Sequence, residues 1–178
     1  DSGAATSMGN AVFVLDALTG TVLKAFTTLT DGTSIGRSVA AAVTPVDSNS
    51  DGIIDRAYAV DLGGQVYRID FETAAGESSQ DKWTIYKLAD LSGGTTTGRK
   101  FFFAPDAIVT KRFTALMFGS GDREKPLLTS TEDHFFQIFD RRNDMGAPST
   151  HTPMTFASLK PMGATSSTTG DGCYMSLA

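Results

Sequence analysis

The sequence predicts an all-β chain of repeated hairpins, the pattern of a partial β-propeller, and three observations carry that expectation. Short alternating apolar runs are joined by Asp- and Gly-containing turns along the chain, and no helix is expected. The hairpin design recurs: aligning residues 13–16 with residues 58–61 gives a period of 45 residues, the size of a propeller blade. Between two strand-like runs lies Asp47-Ser48-Asn49-Ser50-Asp51-Gly52-Ile53-Ile54-Asp55, which sets oxygen-bearing side chains at alternate positions around a glycine. That spacing is the grammar of a calcium loop.

The elements follow in order. After a small, polar leader over residues 1–10, residues 11–16 read as a strand, 17–20 as a turn and 21–26 as the returning strand. Residues 38–44, small and apolar, read as a strand able to line a crowded centre. Residues 56–62 and 65–71 alternate on either side of Gly63-Gly64 and form a second hairpin. Residues 83–88 and 107–110 are further strands, and 113–119 with 134–140 repeat the hairpin in looser form, with a longer internal loop. Residues 72–82, 92–99 and 144–155 read as loops. The last residues, 170–178, read as a turn and a strand cut off in mid-blade.

None of the loops is long enough to separate two domains, so residues 1–178 are expected to be a single propeller segment with its calcium loop at 47–55. At about 45 residues per blade the chain holds about three to four blades, whereas a closed propeller needs at least about four. The expected object is therefore a segment of a larger ring. The chain opens at Asp1 and not Met, as a processed or excised segment would.

Composition excludes several function classes. With 40% hydrophobic and 20% charged residues the chain is ordinarily globular. A net charge of −5 and no basic cluster beyond pairs such as Arg99-Lys100 argue against nucleic acid, which needs a positive patch. No apolar run approaches a membrane span. The single cysteine, Cys173, excludes a disulfide within the chain and reads as a small buried apolar residue. A solvent-exposed Asp/Asn loop suits millimolar calcium outside cells, which leans towards an extracytoplasmic protein.

In the helix-loop-helix form of a calcium loop, positions 1, 3, 5 and 9 offer side-chain oxygens, position 7 a backbone carbonyl, and position 6 is Gly. Here these are Asp47, Asn49, Asp51, Asp55, the Ile53 carbonyl and Gly52. Position 12, a bidentate Glu in that family, is Tyr58, so the loop is a shortened form that sits between strands. Three carboxylates in nine residues repel one another unless a hard cation screens them. The competing reading is an Asp/Asn/Gly turn without an ion, since those residues favour turns for local reasons.

Other candidates are weaker. His134 lies on an apolar strand and reads as partly buried and hydrogen-bonded, His151 in a Thr/Pro-rich loop as solvated, and neither has a carboxylate spaced as a catalytic partner. No catalytic residues are expected. Asp122-Arg123-Glu124-Lys125 reads as a solvated turn with local ion pairs. Phe101, Phe102, Phe103, Phe135, Phe136 and Phe139 read as core.

Several of these motifs together resemble the β-propeller of the PilY/PilC family of type IV pilus tip-associated adhesins and assembly factors. They are residues 9–17 with Thr19-Gly20, the loop 47–55 with the hairpin after it, residues 99–106, residues 118–124 and residues 172–177. The resemblance runs from about Gly9 to Leu177. It implies a modified, quinoprotein-like β-propeller, calcium as cofactor, and Asp47, Asn49, Asp51, the Ile53 carbonyl and Asp55 as its ligands. It also implies a role in pilus extension and retraction, twitching motility and surface attachment. Expected partners are minor pilins and the pilus assembly machinery, with host or abiotic surface ligands, at the pilus tip or bacterial outer surface. Cys173 departs from the family, whose strand commonly has an aromatic residue there. Quinoprotein-type blades also build pyrroloquinoline-quinone dehydrogenases, but those use a tryptophan platform and often a vicinal disulfide, and this chain has one Trp and one Cys. A generic extracellular binding propeller, a lectin or a scaffold, is the third class.

Overall fold

The protein is described here by a computed structural model that covers residues 8–73, 78–93, 98–127, 129–141, 151–162 and 170–177. Residues 1–7 of the polar leader, 94–97 of the Gly/Thr stretch and 144–150 of the third loop lie outside the described residues.

The first hairpin pairs β1 (Val12–Leu15) with β2 (Val22–Phe26). Asp16 makes its turn: one carboxylate oxygen accepts the Leu18 and Thr19 N–H groups at 3.0 and 2.7 Å and the Thr19 hydroxyl at 2.9 Å. The aligned Asp61 does the same in the second hairpin, accepting the Gly63 and Gln65 N–H groups at 2.8 and 2.9 Å. The repeat seen in the sequence is thus a repeated side-chain-to-backbone turn.

A second sheet has the antiparallel order β3 (Thr44–Val46), β4 (Arg56–Val60), β5 (Gln65–Asp70), β6 (Thr84–Asp90). A third repeats the meander with β7 (Asp106–Val109), β8 (Thr114–Gly119) and β9 (His134–Asp140). Between β9 and the fourth strand the chain adds two short parallel edge strands. These are β10 (Met154–Thr155), which pairs with β6, and β11 (Lys160–Pro161), which pairs with the fourth strand, β12 (Gly172–Ser176). Residues 154–161 therefore lace the outer edges of two adjacent sheets. Gly172 has φ of 147°, and a Cβ there would collide with the Gln137 carbonyl, so only glycine lets β12 approach β9.

The sheets stack face to face. On β4, Ala57 and Ala59 face the first hairpin, where Val12, Phe26, Leu29 and Ile35 close one core. Tyr58 and Val60 face the third sheet, where Leu116, Phe118, Phe136 and Ile138 close the other. Both faces of β4 are therefore buried along its whole length, and burial of this apolar surface is the main force holding the stack. Among the described residues the three sheets do not close into a ring. The expected class, an all-β partial propeller-like array, is what the chain forms.

Several expectations need correction. Of residues 38–44 only Thr44 enters a strand. The rest run as a linker tied by Val39 N–H to the Gly9 carbonyl and by Leu62 N–H to the Ser38 carbonyl, contacts that alternation could not reveal. Residues 151–155 are not simply a loop, because Met154 and Thr155 find the open edge of β6. Phe103 is 63% exposed under the Arg123 guanidinium, 5.3 Å away, while Phe101 and Phe136 are fully buried. Asp122 and Glu124 form ion pairs at 3.0 and 3.3 Å with the buried Lys100, outside their own turn, while Asp122 also accepts the Glu124 and Lys125 N–H groups within it. His151 is half-buried and packs edge-on against Tyr86 at 5.0 Å, so it is not simply solvated. His134 is buried, as its strand position suggested, with Nδ1 3.0 Å from the Glu132 carbonyl oxygen. Cys173 is only partly covered.

Candidate metal loop

The loop from Asp47 to Asp55 joins β3 to β4, the two strands at one edge of the second sheet. Its base is fixed by the ladder: Asp55 N–H donates to the Val46 carbonyl at 3.1 Å, and the Asp55 carbonyl accepts Phe71 N–H at 2.8 Å. Its tip is organised by carboxylates gathering backbone donors. Asp47 accepts the Ser50, Asp51 and Gly52 N–H groups at 2.6, 3.2 and 2.8 Å. These bonds, led by that from Gly52, hold its carboxyl below the usual carboxylate range. Asn49 Oδ1 accepts Asp51 N–H at 2.9 Å, and Asp51 accepts Ile53 N–H at 2.8 Å. The winding requires Ser50 and Gly52 at positive φ, 65° and 89°, which explains the glycine at the sixth position.

This folding brings together three of the five sequence-derived candidates. One carboxylate oxygen from each of Asp47, Asp51 and Asp55 lies within 4.8 Å of the others, so the cluster could hold a metal ion. Without a cation the like charges of the three carboxylates repel one another, most where Asp55 is shielded from water. Asn49 sits in the same loop, hydrogen-bonded to Asp51. The Ile53 side chain is a hydrocarbon, 62% exposed, so only the backbone carbonyl of Ile53 is a candidate donor.

Asp55 differs from the other two because it is fully buried. Its Oδ2 accepts both the N–H and the hydroxyl of Ser48, at 2.6 and 2.5 Å. Its Oδ1 is buried and has no hydrogen-bond partner. A buried carboxylate oxygen without a partner is costly, and a hard cation beside two further carboxylates is the chemistry that would satisfy it. The residues present therefore fit a divalent ion with oxygen ligands. Sequence reasoning missed Ser48, an even-numbered position in the loop that orients Asp55 and offers no recognisable motif.

A second feature was also missed. Immediately after Asp55, Arg56 lies 3.7 Å from Asp70, and Arg68 holds Asp70 through two bonds of 2.8 and 3.1 Å. Arg68 also reaches across to Asp140 at the end of β9, at 2.9 Å, and Tyr58 donates its hydroxyl to the same Asp140 oxygen at 2.7 Å. Burial opposes the Arg68 charge, but Asp140 and Asp70 more than offset it and hold the guanidinium above its usual range. Burial, reinforced by Asp140, likewise keeps the Tyr58 hydroxyl protonated far above its usual range. In the sequence these residues looked like the polar half of two alternating strands. Only stacking with the third sheet makes them a dry ion-pair junction.

No protein-family model matches the chain, and no curated protein matches it. Among solved structures, the C-terminal domain of PilY1 from Pseudomonas aeruginosa matches with a TM-score of 0.73 at 18% sequence identity. The match covers 98% of this chain but 46% of that one, so the chain spans less than half the length of the solved domain. Among the described residues no helix is long and apolar enough to cross a membrane. Over almost its entire length, then, this chain has the propeller-like fold of the PilY1 C-terminal domain.

Proposed function

We propose that residues 1–178 are one calcium-binding propeller segment of a type IV pilus biogenesis factor or tip adhesin, acting outside the cell at the pilus tip or bacterial outer surface. Minor pilins and the pilus assembly machinery are its partners, and host or abiotic surfaces the ligands it helps the pilus to reach. The fold shared with a PilY1 domain supports the pilus reading. The observation that carries the calcium reading is Asp55, whose Oδ1 is buried without a partner beside the Asp47 and Asp51 carboxylates.

Asp47, Asn49, Asp51, the Ile53 carbonyl and Asp55 would hold the ion, with Gly52 supplying the turn. Calcium contributes charge neutralisation and oxygen coordination. Ser48 keeps Asp55 oriented, and the Asp55 backbone bonds to Val46 and Phe71 tie the loop to the sheet. Binding that favours the ordered loop stabilises it by RT ln(1 + [Ca]/Kd), about 2.7 kcal/mol at a hundredfold excess over Kd. That is enough to switch a marginal loop, and with it the surface around Ile53 and Ile54, both exposed.

Calorimetric titration of chelator-stripped protein tests the reading, beside Asp51→Ala and Asp55→Ala together. One saturable site in the native protein, lost in the double variant, is expected. In the full-length polypeptide the same variant should lower pilus number and twitching. Unchanged motility with lost calcium binding would reduce the site to a purely structural one. The fold has hosted many functions, so absent quinone absorbance on reconstitution is also expected, against the dehydrogenase alternative.

A further inference from the structure

The loop between β3 and β4 holds the parts of a reaction that needs no ion. Asn49 is followed by Ser50, and both are exposed to water at the loop tip. Asparagine is a chemically labile residue, because the next backbone nitrogen can attack its side-chain amide carbon and displace ammonia. A short side chain on the following residue leaves that approach unhindered. The attack is helped by a base for the attacking N–H, a donor for the carbonyl oxygen that turns negative, and a partner for the departing nitrogen.

The loop supplies all three. Ser50 N–H donates to Asp47 Oδ1 at 2.6 Å. Backbone N–H groups, that of Gly52 first, hold the Asp47 carboxyl below the usual carboxylate range, so at neutral pH it is ionised and can only accept. Asn49 Oδ1 accepts Asp51 N–H at 2.9 Å, and Asn49 Nδ2 donates to Asp51 Oδ2 at 3.1 Å. Ser50 is also the one non-glycine residue at positive φ among the described residues, at 65°, a strained conformation of the kind that collects at reactive sites.

We propose that Asn49–Ser50 is a self-deamidating site in which the Asp47 carboxylate is the base and the Asp51 N–H steadies the oxyanion. Ser50 N gives its proton to Asp47 and bonds to Asn49 Cγ. The Cγ–Nδ2 bond then breaks, and the same proton passes to the leaving nitrogen, which departs as ammonia. Water opens the resulting cyclic imide at either carbonyl and leaves aspartate or isoaspartate at position 49. With aspartate a further carboxylate joins Asp47, Asp51 and Asp55; with isoaspartate the backbone runs through the side chain and the donor is displaced. Either product changes cation binding, a consequence that rests on the calcium reading, whereas the reaction itself does not.

The test follows Asn49 in the full-length polypeptide, kept at neutral pH with a chelator. Trypsin releases residues 38–56, in which Asn49 is the only amide side chain. A mass change of NH replaced by O therefore locates the event, and a synthetic peptide of the same residues sets the reference rate. The native protein should react about tenfold faster than the peptide, because the loop holds the reacting groups together. Asp47→Ser keeps a hydroxyl acceptor in the turn but no base, and should bring the rate back to that of the peptide. A native rate no higher than the peptide's, or an Asp47→Ser rate equal to the native one, overturns the proposal. With calcium in hundredfold excess over Kd only about 1% of loops are free of the ion, so the native rate should fall about a hundredfold. A fast native reaction that calcium leaves unchanged would uphold the deamidation and count against the calcium reading alone.

Discussion

Asp140→Ala is the most informative single perturbation, because Asp140 is where the second and third sheets exchange charge. The residue is fully buried, and one of its oxygens accepts both the Arg68 guanidinium at 2.9 Å and the Tyr58 hydroxyl at 2.7 Å. Truncation removes the carboxylate that Arg68 and Tyr58 share, so the buried guanidinium keeps Asp70 but loses one of its two carboxylates, and the Tyr58 hydroxyl loses that acceptor. Breaking a buried pair from one side costs about 3–5 kcal/mol, far more than an exposed pair, whose worth is about 0–1 kcal/mol. For a domain of this size each kcal/mol moves Tm by about 2–4 °C, so a fall of about 6–20 °C is expected. Tyr58→Phe removes the hydroxyl while Arg68 keeps both carboxylates, and should cost only about 1 kcal/mol. Urea unfolding of the polypeptide carrying these residues gives both values, provided the slope is unchanged. A loss below about 1 kcal/mol for Asp140→Ala would refute the junction and mean that water reaches Arg68 in the folded protein.

Other outcomes follow from packing, backbone and charge. Phe136→Ala empties a site ringed by Phe101, Phe118 and Phe156 and should cost about 3–5 kcal/mol in chemical denaturation. Gly172→Ala should unpair β12 from β9, because its Cβ has no room beside the Gln137 carbonyl; faster amide exchange confined to Tyr174 and its β9 neighbours would show it, and unchanged protection would contradict it. Burial raises the Asp61 carboxyl above its ordinary value of 3.8, against the bonds from Gln65, Tyr67 and Gly63. The folded state therefore holds this proton more tightly than the unfolded chain. The Asp61 contribution is fully present below that value and is lost as pH rises through the higher folded pKa. Asp61→Asn should flatten Tm against pH in that window, and an unaltered profile would show that Asp61 does not titrate there.

The hairpins were legible because their signals are local. An Asp that collects the N–H groups two to four residues ahead writes its turn into the sequence at positions 16 and 61. The bounds of β9 were readable to the residue, but not its faces, since Phe135 and Phe139 read as core beside Phe136 and are only partly covered. The convergence of Asp47, Asp51 and Asp55 was legible for the same reason: the three lie within nine residues, so their meeting depends on little beyond the local winding at Ser50 and Gly52. What could not be read was everything that depends on a neighbour distant in sequence. Residues 38–43 have strand-like composition but meet linker partners. Met154 and Thr155 become a strand only because β6 offers an edge. Phe101 and Phe103 look alike in sequence, and only stacking buries one and exposes the other.

The amino-acid sequence by itself determined the hairpins, the turns and the gathering of three carboxylates in one loop, since these rest on period-two alternation and side-chain-to-backbone bonds of short range. The tertiary structure alone decided that Asp55 is the buried member with an unpartnered oxygen, that Arg68 meets Asp140, and which of the described apolar residues are buried. Burial and desolvation are properties of two surfaces brought together, and a single strand carries only one of them.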